Sequence, residues 1–439
     1  MIELITKAVK YGEKLGASEV FIVGELTKEK SLEILVGNLN SEHKTTGGIQ
    51  VIVSIGKKHG SAYTTSISEN DVYKTVEDAI AIAKNSDEDP NWPGIPKSAE
   101  KFERRDKVFE VQPEDMGKVV GQVFQELSGE DRYLYLAGYT TFYEEKYIAS
   151  SYGAEIIESG FGSGIFAEAS VKTNKGASPG IFNLKISKEP ATDPYSFIEE
   201  TKLLLSKATN LIKAEDKKLD MIMHPQATSG LLTYGFVPAV KGESFYKKSS
   251  RFQEKLGERV FSEKLSIYDD PRNDKAINYS LYDFDGIPTR RTIIVERGVL
   301  KNFMWNYYWA KLAGIESTGN GYRTPRTGEY DIRPFNLSIE PGKRSFEDII
   351  SDVDQGIYVM SFQGVHSTNP DSGMFSVMAN PAFYIEEGEI KGCLLGAAIT
   401  DNVDNVLSRV DEVSSDVMYN ITFTLPWILV KNVRITSRL

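Results

Sequence analysis

Residues 282–323 read YDFDGIPTRRTIIVERGVLKNFMWNYYWAKLAGIESTGNGYR. The centre of this stretch, RTIIVERGVLKNFM, is a β-like run. The DFDG before it, like the DDP at 269–271, reads as a turn in which Asp bonds its own backbone. Trp305, Tyr307, Tyr308 and Trp309 form an aromatic run, and STGNGYR closes the stretch on a glycine-rich turn. More runs of this kind follow, punctuated by Gly, Pro, Asn and Asp: GIYVMSFQG at 356–364, AFYIEEGEIKG at 382–392 and WILVKNVRITS at 427–437. The C-terminal half is therefore β-dominated, and no solenoid period is visible. The chain reads as α+β, with N-terminal α/β domains and a larger β-rich C-terminal domain.

Upstream, Ile2, Ile5, Val9 and Gly12 fall on one helical face, and Gly16 is placed to end that helix. Val20 to Gly24 reads as a strand. Leu32, Ile34 and Val36 alternate, as do Ile49, Val51, Val53 and Ile55, with Gly47-Gly48 as the turn before the latter. Ser68 is the N-cap of a helix carrying Val72, Val76, Ala79, Ile80 and Ala83. Residues 86–106, with three prolines and many charges, read as an extended linker. A helix bearing Met116, Val119, Val120 and Val123, strand-like runs, and a helix bearing Phe197, Leu204 and Ala208 follow. AEDKK at 214–218 is a solvated break. After it come the strand LDMIMH and a helix candidate from Gln226 to Val240. These signals divide the chain into 1–95, 96–214 and 215–439.

The length of 439 residues exceeds one small core, and 41% hydrophobic with 26% charged residues is ordinary for a globular protein. A net charge of −11 repels phosphate backbones, so nucleic acid is not an expected partner. The single cysteine, Cys393, permits no internal disulfide and fits a reducing compartment. MIELITKAVKYGEKLG has no secretory pattern, and no stretch nears the roughly 20 apolar residues of a membrane span. The expected location is cytoplasmic. The four histidines, His43, His59, His224 and His366, are far apart in sequence.

The stretch at 282–323 resembles the TldD/PmbA family, in its D-x-x-G-x-P-x-x-R-T-x-x-I-x-x-G-x-L block and the STGNGYR behind it. EKLGERVFSEKLSIYDDP at 254–271, GMFSVMANPAFYIEEGEIKG at 373–392 and GGIQVIVSIGKKHGSAYTT at 47–65 are similar to further blocks of that family, in the same order. Active members resemble zinc peptidases. An H-E-x-x-x-H motif on a helix supplies two histidine ligands and a glutamate base, and a cysteine from a later strand completes the site. Aligned from Pro225, this chain has Thr233 and Tyr234 where the first histidine and the glutamate would stand. Pro238 replaces the second histidine and Ala379 the cysteine.

The resemblance thus implies a PmbA/TldE-like subunit that carries no zinc of its own. Its partner would be a TldD-like zinc peptidase subunit, or a second copy in a homodimer when isolated. The substrates would be unfolded peptides trimmed in an internal cavity. Two other functions compete: a stand-alone metallopeptidase with an unconventional metal site built on His366, His224 and carboxylates, and a regulatory binding protein, as the family's older label "modulator of DNA gyrase" implies.

Each candidate residue has a plain alternative. Thr233, Tyr234 and Pro238 are either vestiges facing a partner's site or part of a helix packed on a sheet, which Pro238 would kink or end. Asn320, Gly321 and Arg323 either present backbone amides and a guanidinium to a peptide or form a tight turn. His366, in the polar loop QGVHSTNPDSG, either lines the cavity or is solvated. Asp269, Asp270, Asp283 and Asp285 read as turn residues ahead of a cation site. The aromatic run at 305–309 reads as core ahead of a peptide groove. Cys393 reads as a buried small hydrophobe, and KGESFYKKSSRFQEK at 241–255 as a solvated loop.

Overall fold

In the computed structural model, which describes residues 1–438, the strands form two large sheets and one small separate hairpin. The first sheet runs in the order β3 (Lys58–Thr64), β2 (Asn38–Ile55), β1 (Glu19–Leu35), β5 (Arg132–Ser150), β6 (Glu155–Thr173) and β4 (Lys101–Arg104). Two more strands, β7 (Gly176–Ala177) and β8 (Ile181–Ser187), also pair with β6. The class is α+β.

The short strands expected between residues 20 and 55 are two long ones. β1 pairs with β2 from Glu19↔Ser54 to Leu35↔Asn38, and with β5 from Phe21↔Ser150 to Leu35↔Leu136. Its polar middle shows no alternation because there the ladders on both edges, not burial of one face, hold the strand. The connecting turn places Val36 and Gly37 at φ 48° and 79°, the two-residue geometry that suits a twisted hairpin. Gly47-Gly48 is not a turn; both residues lie inside β2, opposite Leu26 and Glu25. A Cβ on Gly48 would lie 2.7 Å from the backbone nitrogen of Arg326 and 2.8 Å from its Cα. Gly48 is thus a place where a second backbone crosses the sheet.

On one face of the first sheet, α1 (Ile2–Lys14) and α2 (Glu69–Asn85) bury Ile5, Val9, Val72 and Val76 against Val20, Val51 and Val53. Ser68 caps α2, its hydroxyl accepting the Asp71 N–H at 3.2 Å. The β1–β5 ladder joins residues from both sides of the 95/96 division into one sheet. The 86–106 stretch is irregular until Lys101–Arg104, which pairs parallel with β6.

The second sheet has 14 strands. Its long strand Phe423–Ser437 pairs with Lys217–Met223, Leu337–Ile339, Ala397–Asn402 and Val410–Tyr419. Between the sheets, α3 (Pro113–Leu127) and α4 (Tyr195–Lys207) fill a core in which Val120 and Phe197 meet Ile222, Phe383 and Leu429 of the second sheet. Residues from both sides of the 214/215 division therefore share apolar packing. Among the described residues no helix is long and apolar enough to cross a membrane.

Candidate functional site

The motif helix starts where strand Lys217–Met223 ends. His224 is its N-cap, with Nδ1 accepting the Gln226 N–H at 3.1 Å, and Pro225 occupies the first turn, where its missing N–H costs nothing. The imidazole is buried, edge-on to Trp427 at 5.4 Å. Burial lowers its pKa from 6.5 to about 3, so it stays neutral.

The helix candidate at 226–240 is three short pieces: α5 (Pro225–Leu231), a π turn at Leu232–Phe236 and a 3-10 turn at Val237–Val240. Pro238 has no N–H to give the carbonyl four residues back, and its ring would crowd that carbonyl. The chain widens instead, and the Val237 N–H reaches the Leu232 carbonyl, five residues back. The pitch matters to the motif. On an α-helix, residues five apart point about 140° from one another. One i→i+5 turn brings Thr233 and Pro238 towards the same side. Thr233 and Tyr234 are exposed and Pro238 is half-buried.

Arg251 holds this turn in place. Its guanidinium donates to both oxygens of Asp404 at 2.8 and 2.7 Å, to the Gly235 carbonyl at 2.7 Å and to the Pro370 carbonyl at 3.1 Å. Residues 241–255, read as a solvated loop, are thus anchored, and Phe252 is buried in the core. The 3-10 turn Val365–Ser367, which carries His366, packs beside α5: a Cβ on Gly230 would lie 3.2 Å from Val365 Cγ1. His366 is exposed. Ala379 ends strand Met374–Ala379 opposite Phe362, at 2% exposure in the core. Thr233, Tyr234, Pro238 and His366 therefore lie on neighbouring elements, while Ala379 is sealed within the sheet. A hydroxyl, a phenol and two side chains without donor atoms do not form a zinc donor set, which calls for imidazole, thiolate or carboxylate. Among the described residues no three His, Cys, Asp or Glu are placed to hold a metal ion. Cys393 is fully buried, and burial pushes its thiol up to about 12.

The second group of candidates lies at the junction of the two sheets. Asn320 donates to Asp269 at 2.6 Å and to the Arg333 carbonyl at 3.0 Å. The Gly321 N–H donates to Asp283 Oδ2 at 2.8 Å, and a Cβ there would lie 2.9 Å from the same oxygen. Arg323 donates through Nη2 and Nε to Asp285 Oδ1 at 2.9 and 3.2 Å and stacks 3.7 Å over the Tyr330 ring. Asp285 Oδ2 accepts from the Tyr330 hydroxyl at 2.6 Å and the Tyr307 N–H at 3.1 Å. Asp283 also accepts the N–H groups of Asp285 and Ile287, both at 2.9 Å, so DFDG is a turn as its composition indicates. The glycine-rich loop spends most of its polar groups inside the protein.

Burial, then the charge of Asp285, raises the pKa of Asp283; burial raises that of Asp269 to about 6. Lys146 of β5 donates to Ser280 at 2.9 Å, and also to Tyr282, and pairs with Glu158 of β6 at 2.7 Å. Burial pushes Glu158 up, but the Lys146 charge and the hydrogen bonds from Lys146, the Leu281 N–H and Ser280 together outweigh it and hold the carboxylate below its usual range. The hairpin Gly321–Thr324/Glu329–Ile332 lies across the first sheet, where Gln50 Nε2 donates to the Gly328 carbonyl at 3.0 Å and Arg326 pairs with Glu25 at 2.8 Å. Sequence reading missed Arg251, Gln50 and Tyr330. Arg251 sat in a run of charge and Tyr330 in a polar stretch without a motif. Gln50 did carry a signal: it is a polar residue inside the apolar run Ile49–Val53.

The family profile for the PmbA/TldA metallopeptidase C-terminal domain matches residues 216–437. A solved structure of TldE from Thermococcus kodakarensis superposes with a TM-score of 0.90 at 29% identity, covering 99% of this chain and 100% of that one. An uncharacterized protein of Methanocaldococcus jannaschii is 29% identical over 88% of this chain and 89% of its own length. A metalloprotease PmbA homologue of Haemophilus influenzae is 23% identical over 99% of this chain and 96% of its own. With its C-terminal half matched by the family profile and its whole length carried on the same fold, this chain belongs to the PmbA/TldD metallopeptidase family.

Proposed function

We propose that this chain is a TldE-type subunit of a TldD-type zinc metallopeptidase that trims unfolded peptides, and that it is non-catalytic by itself, with the zinc held by its partner. The observation that carries this reading is the chemistry of four positions. Thr233, Tyr234, Pro238 and Ala379 stand where the resemblance places the ligands and the base, and two of them have no donor atom at all. Two features add support. The i→i+5 turn, held by Arg251, brings positions 233 and 238 towards the same side, as a pair of ligands five residues apart would need. The likeness to TldE extends over 99% of the chain. A site built for flexible chains selects by access, so its substrates are disordered segments rather than folded proteins. The single buried cysteine fits work in the reducing cytoplasm.

The test is metal analysis of the purified chain, followed by peptidase assays on an unfolded peptide with and without a zinc-bearing TldD-type partner. The expected result is no stoichiometric zinc and activity only in the mixture. Bound zinc together with chelator-sensitive cleavage by the isolated chain would overturn the reading.

A further inference from the structure

At the junction of the sheets, the segment 92–96, the helix Tyr307–Ala313 and the hairpin 321–332 enclose a cavity of about 280 Å³ against β1, β2 and β3. Its wall carries the rings of Phe21, His59, Trp92, Tyr307, Tyr308 and Tyr330, with His59 stacked on Trp92 at 4.1 Å. Three of those rings have their polar tips committed elsewhere. Trp92 Nε1 donates to Ser54 at 2.9 Å, the Tyr307 hydroxyl to the Ile95 carbonyl at 3.2 Å, and the Tyr330 hydroxyl to Asp285 at 2.6 Å. Two lining residues have polar atoms to spare. Arg323 uses the Nε/Nη2 edge of its fork on Asp285, and its Nη1 has no hydrogen-bond partner among the described residues. Gln50 is 2% exposed; its Nε2 donates to Ser61 at 3.2 Å and to the Gly328 carbonyl at 3.0 Å. A carbonyl can only accept, so the amide orientation is set, and Oε1 is left buried without a partner among the described residues. A buried acceptor without a protein partner is rare, and a bound water or a ligand N–H would satisfy it. The guanidinium charge is already balanced by Asp285, so the occupant need not be an anion.

We infer that this cavity is a binding site for one aromatic residue of a peptide. The ring packs among Trp92, Tyr307 and Tyr308. An adjacent amide group places its carbonyl on Arg323 Nη1, and its N–H meets Gln50 Oε1 once that side-chain amide turns towards the cavity. Small ligand sites are mostly apolar, with a few convergent polar groups, and start near 300 Å³. This cavity matches that pattern and is too small for a folded partner. The inference rests on the peptide-substrate part of the proposed function, but not on the subunit role.

The test titrates the isolated full-length chain with N-acetyl-phenylalaninamide, N-acetyl-alaninamide and adenosine, followed by NMR or calorimetry. The phenylalanine probe is expected to bind, and the alanine probe and adenosine to bind at least about tenfold more weakly. Tyr308→Ala, whose ring is half-exposed, is expected to weaken the phenylalanine probe by about tenfold without shifting the unfolding midpoint. Gln50→Leu keeps the volume and should narrow the preference for the amide probe over toluene. Equal binding of the alanine and phenylalanine probes, preference for adenosine, or full affinity in both variants would each overturn the proposal. Because no partner subunit is present, failure here leaves the subunit role standing, and failed reconstitution with a partner leaves the cavity assignment standing.

Discussion

The junction around Arg323 and the motif helix around Thr233 are opposites in constraint. At the junction, Asp283, Asp285 and Arg323 are buried and Tyr330 is half-buried, and most of their polar atoms have internal partners. On the helix, Thr233 and Tyr234 face solvent, and only the backbone beneath them is held, by Arg251. A buried charge network is costly to break because each removal strands a partner in low dielectric. An exposed turn can lose its catalytic side chains at little cost to the fold, provided that its backbone clamp survives. The difference means that Thr233 and Tyr234 can vary with little effect on the architecture, whereas Arg323 and Asp285 cannot.

The largest expected effect tests the buried side of that contrast. Arg323→Met leaves Asp285 unpaired beside Asp283 and is expected to cost about 3–5 kcal/mol in urea unfolding at pH 7. Adding Asp285→Asn should recover part of the loss. A cost within experimental scatter would mean that the network does not hold the sheets together. Next, Gly48→Val pushes a side chain into the Arg326 backbone and should cost about 1–3 kcal/mol, with faster amide exchange confined to the 321–332 hairpin. Arg326→Ala, which removes only its half-exposed ion pair with Glu25, should change stability by about 1 kcal/mol or less.

A pH profile sharpens the comparison at the root of the motif helix. His224 has a folded pKa of about 3, below its ordinary 6.5, so its contribution is complete above pH 6.5 and is lost as pH falls towards 3. The limiting slope is about 1.4 kcal/mol per pH unit. Asp269, raised from 3.8 to about 6, runs the other way: its contribution is present below pH 3.8 and is lost as pH rises through 6. Denaturant midpoints of wild type and His224→Asn between pH 6 and 4.5 separate the two, because Asn keeps the cap and does not titrate. The variant should lose less stability than wild type as the acid is added; parallel curves would show that His224 is not held neutral by burial. The smallest effect belongs to the exposed side. Thr233→Ala and Tyr234→Ala should each shift stability by no more than about 0.5 kcal/mol. A shift of several times that size would show that the turn depends on these side chains.

Much of the fold was legible where one face of an element is buried. The α1 residues Ile5, Val9 and Gly12, and the Ser68 cap of α2, are found as their spacing indicates. The long β1–β2 hairpin was not legible as such, because its distal half is held by ladders on both edges and its side chains carry no period. Gly47-Gly48 was misread for a related reason: a glycine that admits another backbone looks, in sequence, like one that makes a turn. The break in the motif helix was announced by Pro238, but the π turn before it was not. A pitch change is a compromise between the missing N–H and the anchors at Asp404 and Pro370, which lie far along the chain.

The sequence by itself determined the α+β class, the order of family blocks and the donor chemistry available at 233, 234, 238 and 379, since each is a property of local pattern or of residue chemistry. Tertiary structure alone decided that Arg323 meets Asp285, that Arg251 clamps Gly235, and that Gln50, Trp92 and Tyr307 line one cavity. Those contacts join segments tens to hundreds of residues apart. Only burial and the approach of backbones, which no local pattern encodes, bring them together.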